Sequence, residues 1–376
     1  MRVTATALAA CALAGAACRM LPEQLSALPL VPLFVAMTPA FALLAGVALV
    51  LTLLPRAWAG HRAARLLVRA AAVVVLALEA TWLTPYALPA QRVSDARQDA
   101  GDATTLKVMT CNVYKGAADP TAIVAAVREN RVEVLALQET TVDFVARLRA
   151  AGLDELLPHS QRSSSDGVYG NGVWSVYPLA DVASDDIGSS ASAMPAGTIE
   201  VTRADGTNAR VRLVSVHTCS PGPGYWNLWR RSIEEIGVVR SRVTADPTCA
   251  YVLMGDFNAT WDHAPFRAML GVDETGAGGA GPAGTTDAAA TDAEKGVGNN
   301  AAHAGQDATG GSVTLHDATH ECGRGLIATW PSNAPVGPLA GIDHVVTSDA
   351  VVATGVQALT IPGSDHAALL ATLALS

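Results

Sequence analysis

The chain has 376 residues, half of them apolar, and a formal net charge of −9 at pH 7, which is enough for about two structural units. Of its 25 basic and 34 acidic residues, eight and four lie within residues 1–100, leaving 17 and 30 for the remainder. A remainder this acidic argues against a non-specific polyanion binder, which presents a basic stripe to phosphates, although a bound divalent cation supplies positive charge locally.

Three apolar stretches open the chain, at 3–18, 28–54 and 66–88. Against the roughly 20 residues a bilayer requires, the second is long enough to cross, the third about long enough and the first marginal, so residues 1–90 are expected to form three transmembrane helices. With Arg2, an apolar run and small residues, the first stretch also reads as a cleaved signal. Arg56, Arg62, Arg65 and Arg69 lie between the second and third stretches with no acidic residue among them, and cytoplasmic loops carry such an excess. The expectation is a multi-pass protein of the cell membrane whose chain beyond residue 90 is extracytoplasmic. Residues 91–105 are polar, charged and rich in small side chains, and read as a linker.

From residue 106 short apolar runs with β-branched residues alternate with turn signals, predicting strands at 106–113, 132–138, 172–177, 198–202, 211–217, 251–257, 342–347, 351–359 and 367–373. Asp119 and Pro120 form an N-cap and first-turn pair opening a helix to 130; further helices fit 141–151 and 225–243. Mixed strands with intermittent helices indicate an α/β or α+β domain over 106–376 rather than a barrel. Residues 273–312, almost wholly Gly, Ala, Thr, Asp and Asn, cannot bury enough apolar surface to offset their ordering entropy and are expected to be a disordered insertion.

Cys111, Cys219, Cys249 and Cys322 are scattered without a CxxC pair, so a zinc site is not expected. In an oxidising compartment one disulfide, Cys219 with Cys322, is expected because both lie beside motifs that should converge; the alternative is four buried thiols.

Five motifs lie at or near predicted strand ends: Thr110-Cys111-Asn112-Val113, Leu137-Gln138-Glu139, Ser215-Val216-His217-Thr218, Gly255-Asp256-Phe257-Asn258, and the pair Ile342-Asp343-His344 with Gly363-Ser364-Asp365-His366. Strand alternation puts Asp256 and Asn258 on one face. Asn112, Glu139, Asp256 and Asp365 offer the oxygen ligands that Mg²⁺ takes. His217 and His366 offer proton transfer near neutral pH. The set suits metal-assisted attack of water on phosphorus.

In order and spacing these motifs resemble the endonuclease/exonuclease/phosphatase superfamily, which includes pancreatic deoxyribonuclease, abasic-site endonucleases, inositol polyphosphate 5-phosphatases and neutral sphingomyelinases. The resemblance covers residues 106–376 and implies a four-layer αββα sandwich of two mixed sheets, preceded here by the transmembrane helices, with Mg²⁺ or Mn²⁺ as cofactor. It further implies that Asn112 and Glu139 belong to the metal site and Asp365 is a second metal-site or water-positioning acid, that Asp256 orients or deprotonates the water and Asn258 holds the phosphate, that His366 pairs with Asp343 to act as base or to stabilise charge on the phosphoryl group, and that His217 is a general acid or phosphate ligand. Nuclease members often carry an Arg soon after the metal-binding Glu, whereas Glu139 is followed by Thr140 and Thr141. No acid that would orient His217 is evident, and His344 and His263 read as structural. With its three spans and Arg-rich loop the chain further resembles VanJ-type membrane proteins linked to teicoplanin resistance. That implies a lipid-linked pyrophosphate substrate at the outer membrane face. Trp226, Trp229, Trp261 and Trp330 flank the motifs and are candidates for an apolar lip, with ordinary core the expectation for at least half of them. The alternatives are an extracytoplasmic Mg²⁺-dependent nuclease and a non-enzymatic membrane sensor on the same scaffold.

Overall fold

A computed structural model describes residues 1–99, 104–272 and 313–375; the expected insertion 273–312 lies outside the described residues. At the N-terminus α1 (Arg2–Arg19), α2 (Val31–Val35), α3 (Thr38–Leu51), α4 (Arg62–Ala87) and α5 (Gln91–Gln98) follow one another. Ala5, Ala9, Ala12 and Ala16 recur at helical spacing, so they share one face of α1 and pack with Phe41, Ala45 and Ala48 of α3 and Ala72 and Val75 of α4. Leu43, Val47, Val50, Leu66, Leu67, Val73 and Val74 of the same helices are exposed.

The stretch 28–54 is not one span. Pro32 and Pro39 sit in the first turns of α2 and α3, where a missing N–H is tolerated but a helix arriving from the N-terminal side cannot continue. The resulting 14-residue α3 rises only about 21 Å, short of the roughly 30 Å hydrocarbon core. Among the described residues, one helical segment, Arg62–Gln98, is long and apolar enough to cross a membrane. Its last part corrects a second expectation, because residues 91–98 form α5 rather than a linker. Val93 is buried in the core, and Arg92 and Arg97 donate to carbonyls of Asp349, Val351 and Thr354.

The chain then runs through β1 (Thr104–Asn112), α6 (Pro120–Asn130), β2 (Val134–Gln138), α7 (Val142–Ala150), α8 (Leu153–Leu156), β3 (His159–Arg162), β4 (Asn171–Ser175), β5 (Ala180–Ala183), β6 (Ala196–Thr202), β7 (Asn208–His217), α9 (Trp226–Glu234), α10 (Val238–Ala245), β8 (Cys249–Asp256), α11 (Ala264–Leu270), β9 (His316–Asp317), α12 (Ala318–Glu321), β10 (Asp343–Thr347), β11 (Val351–Thr360) and β12 (Ala367–Leu375). The strands form two six-stranded mixed sheets, ordered β11-β12-β1-β2-β4-β3 and β5-β6-β7-β8-β10-β9. Only β1–β2 and β7–β8 are parallel among the named pairs.

Period-two alternation builds the layers. Leu106, Val108, Val134 and Ala136 of one sheet meet Val211, Leu213, Val252, Met254 and Val345 of the other. The intervening Met109, Cys111, Leu135 and Leu137 face α6 and α7, while Val214, Leu253 and Val346 face α9, α10 and α11. The layers therefore run helix, sheet, sheet, helix. Asp119 and Thr141 cap α6 and α7 as expected, accepting from Thr121 N and Phe144 N, whereas the expected helix 225–243 breaks at a 3₁₀ turn, Glu235–Gly237. Three strands escaped the sequence pattern, β3, β5 and β9, and each is a sheet edge; an edge strand is short and half-solvated and needs no apolar alternation. The expected Cys219–Cys322 disulfide is absent and all six cysteines are free. Cys322 is buried between the sheets, whereas Cys219 lies against the helices outside the second sheet.

Candidate active site

The alternation that fills the core also delivers the polar residues. Along β1, Leu106 and Val108 point between the sheets, so Thr110 and Asn112 do too; the same parity carries Gln138 on β2, Ser215 and His217 on β7, Asp256 on β8 and Asp343 on β10 to the inner face. Thr110 Oγ1 donates to Gln138 Oε1 at 3.2 Å, and Gln138 Nε2 to Ser215 Oγ at 3.2 Å, a buried polar layer joining the sheets beneath the site. Gly255 fits because it has no side chain: a Cβ there would stand 1.9 Å from the Val216 carbonyl oxygen. Gly255→Ala is therefore expected to destabilise the protein by about 3 kcal/mol, the upper end for overpacking, because the opposing atom is backbone; thermal denaturation reads the loss.

At the end of these strands all eight expected site residues come together. Asn112 Nδ2 donates to Asp256 Oδ2 at 3.0 Å and to Glu139 Oε1 at 3.3 Å, while its Oδ1 accepts from Tyr114 N. His217 Nε2 and His366 Nε2 each lie 3.7 Å from Asp256 Oδ2. His366 Nδ1 bonds Asp343 Oδ2 at 2.8 Å, and Asp365 Oδ1 is 4.0 Å from His366 Nε2. Asp256 Oδ1 accepts from Asn258 N, and Asn258 Nδ2 donates to the Thr218 carbonyl. Glu139 and Asn258 both adopt left-handed φ, 58° and 48°, a conformation that costs a non-glycine residue and is characteristic of sites where geometry is imposed.

Burial pushes the Asp256 carboxyl up, against the pull of the His366 and His217 imidazoles. Burial would lower His366, but Asp343, Asp256 and Asp365 outweigh it and raise its pKa to about 10, so it holds its proton at neutral pH. The donor set fits a divalent cation. Carboxylate oxygens of Asp256 and Asp343 lie within 4.8 Å of one another, while the protonated His366 beside them offers no lone pair to a cation. Among the described residues the buried Asp343 Oδ1 and Asp365 Oδ1 have no hydrogen-bond partner, an arrangement that is expensive unless a cation satisfies it. His217 Nδ1 is likewise buried without a partner among the described residues.

Several supporting residues carried no signal of their own. Ser364 Oγ donates to the Asn112 carbonyl at 2.7 Å and accepts from His366 N at 3.0 Å, and Ser192 caps the His217 carbonyl. Of the four tryptophans, Trp229 is core and Trp261 stacks on His320; Trp330 alone of the four lines the groove over the site, in company with Tyr114, Tyr169 and Tyr225.

His263 and His344 are structural, as expected. Thr260 N donates to His263 Nδ1, so its Nε2–H donates to the Pro32 carbonyl at 2.9 Å, and burial drops its pKa to about 4. His344 faces away from Asp343 and bonds Asp317 Oδ1 at 2.9 Å and the Ala259 carbonyl at 2.8 Å. His344→Ala would strand Asp317 as a buried unpaired charge and is expected to cost about 3–5 kcal/mol. Burial lowers His344, but Asp317 more than offsets it and its pKa is raised, so its contribution is complete below about pH 6.5 and fades as pH climbs through the folded value. Burial raises Asp317, but His344 more than offsets it and its pKa is lowered, so that contribution is complete above about pH 4 and fades on acidification. Denaturation of the variant between about pH 4 and 6.5 should show the full loss.

Crystal structures similar to this chain include zebrafish (D. rerio) TDP2 complexed with single strand DNA product (15% identity, TM-score 0.47, 72% of this chain and 99% of that one). An endonuclease/exonuclease/phosphatase from Bacteroides vulgatus (14%, 0.47, 73% and 100%) and one from Beutenbergia cavernae DSM 12333 (16%, 0.44, 72% and 72%) are similar as well. No curated protein matches the sequence. The profile of the Endonuclease/Exonuclease/phosphatase family matches residues 109–366, the span from β1 to the buried His366, and the chain belongs to that family.

Proposed function

We propose that the protein is a membrane-anchored, divalent-metal-dependent phosphoester hydrolase acting on lipid-linked pyrophosphate at the outer face of the cytoplasmic membrane. The observation that carries the catalytic part is Asp256 Oδ2, set 3.0 Å from Asn112 Nδ2 and 3.7 Å from the Nε2 atoms of His217 and His366, in a groove of about 690 Å³. Asn112, Glu139 and Asp365 would hold Mg²⁺ or Mn²⁺, which when bound supplies Lewis acidity toward a phosphoryl oxygen. Asp256 orients the attacking water and accepts its proton, a role that its raised pKa suits. His366, protonated and aligned by Asp343, donates to the phosphoryl group and offsets the charge that develops there. His217 Nε2 faces the same space and delivers a proton to the departing oxygen. Asn258, anchored through Thr218, keeps a second amide N–H for the phosphate.

The anchor is supported by the packing of the first helices, which meet largely through alanines while Leu43, Val47, Val50, Leu66, Leu67, Val73 and Val74 stay exposed, a pattern that suits helices whose solvent is lipid and whose backbones approach closely through small side chains. Arg19 at the end of α1 and Tyr86 at the end of α4 reach Asp262 of the catalytic domain, so the loop with Arg56 and Arg62 lies at the opposite end of these helices. With the Arg-rich loop read as cytoplasmic by its charge, this arrangement is consistent with a groove on the outer side. The acidic domain and the Thr140-Thr141 pair after Glu139 count against nucleic acid as substrate. The test is phosphate release by the purified full chain in detergent with Mg²⁺, comparing lipid pyrophosphates, soluble monoesters and plasmid DNA. EDTA-sensitive release from the lipid is expected, whereas preferential DNA cleavage would put the nuclease reading first. Protease in intact cells should cut beyond residue 90.

A further inference from the structure

The groove over Asp256 is not built by the catalytic domain alone. Pro32, Leu33 and Ala36, from α2 and the turn after it, line it together with Tyr225, Leu228 and Trp330, although they lie more than a hundred residues away in sequence. Two latches fix this segment in place. Asp262, four residues beyond Asn258, accepts from Arg19 Nε at 2.7 Å and from Tyr86 Oη at 2.7 Å, and His263 holds the Pro32 carbonyl. The same short loop therefore ties the N-terminal helices to the backbone that carries Asn258. Leu33, which lines the groove, is about half exposed, and Leu30 and Phe34 beside it in sequence are also exposed.

We propose that the 32–36 segment is a specificity element of the active site, in which Leu33 bears the apolar chain of the substrate while its phosphoryl group lies at Asp256. This rests on the hydrolase reading above and adds that the N-terminal region contributes side chains to substrate selection as well as anchorage. A wall of this kind distinguishes substrates by chain length, since each methylene that becomes fully buried is worth about fourfold in binding.

The experiment uses the full chain in detergent with Mg²⁺ and a series of alkyl diphosphates, ethyl, hexyl and decyl. Water breaks the phosphoanhydride bond and leaves inorganic phosphate and the alkyl monophosphate; phosphate release is measured. The wild-type chain should show a decyl-to-ethyl ratio of kcat/KM of at least tenfold, Leu33→Asp should lower that ratio at least tenfold, and Leu33→Met should retain it. Leu33→Ala, expected to lower the ratio severalfold, keeps the comparison measurable if the aspartate variant does not fold. A ratio unchanged in Leu33→Ala and Leu33→Asp, or a wild-type rate indifferent to chain length, overturns this inference and leaves the hydrolase reading intact. No turnover of any diphosphate by the wild-type chain overturns both.

Discussion

Asp256→Asn is expected to lower kcat on a phosphoester by about 10²–10⁴, the range that a positioned general base contributes, with the thermal midpoint little changed. The substitution keeps shape and volume, and Asn258 N can still donate to the remaining oxygen that replaces Asp256 Oδ1. What disappears is the proton-accepting oxygen on which Asn112, His217 and His366 converge. An amide nitrogen there would also face Asn112 Nδ2, donor against donor, which disfavours the very arrangement that aims the groups at one point. Steady-state kinetics with circular dichroism as a fold control separates the two effects. An Asp256→Asn chain with near wild-type kcat would assign proton acceptance elsewhere.

His366→Ala should cost about 10²–10³ in kcat, the scale for one preorganised donor to developing charge, and Asp343→Asn should cost nearly as much through the same residue. Asp343 Oδ2 bonds His366 Nδ1 at 2.8 Å and is the largest influence holding the imidazole protonated against burial. An amide in its place can still accept from the ring but no longer stabilises its charge. Because Asp343 acts through His366, the double variant should be no worse than His366→Ala alone, a non-additivity expected of groups working as a unit. Strictly multiplicative losses would mean that Asp343 has an independent role, for instance as one of the cation's own ligands.

Much of the site was legible because strand parity is a strong constraint. Asn112, His217 and Asp256 close apolar runs and Asp343 opens one, and the inward residues of those runs are fixed by the core, so alternation carries their direction; Asn258, expected on the face of Asp256 by that rule, instead lies past the strand end with φ 48°. Glu139, Asn258, Asp365 and His366 follow strand ends in short motifs and were readable from motif order. Less was legible where one residue does the packing: Val93 docks α5 yet sits alone among polar neighbours, so the segment reads as a linker. Hydropathy counted the apolar length of 28–54 but not the breaks that Pro32 and Pro39 impose. The contact of Pro32 and Leu33 with the groove was out of reach, since nothing local in residues 28–36 marks them as neighbours of a loop at 260–263.

The expectation is that these side chains meet around one divalent cation at the edge of the two sheets. Its most direct test is titration of the metal-stripped full chain with Mn²⁺, followed by electron paramagnetic resonance, for the wild type and Glu139→Gln. One bound Mn²⁺ per wild-type chain is predicted, weakened at least 10–100-fold in Glu139→Gln by analogy with the loss of even outer partners of a metal site. Unaltered binding in the variant, or no binding by the wild type, would contradict it.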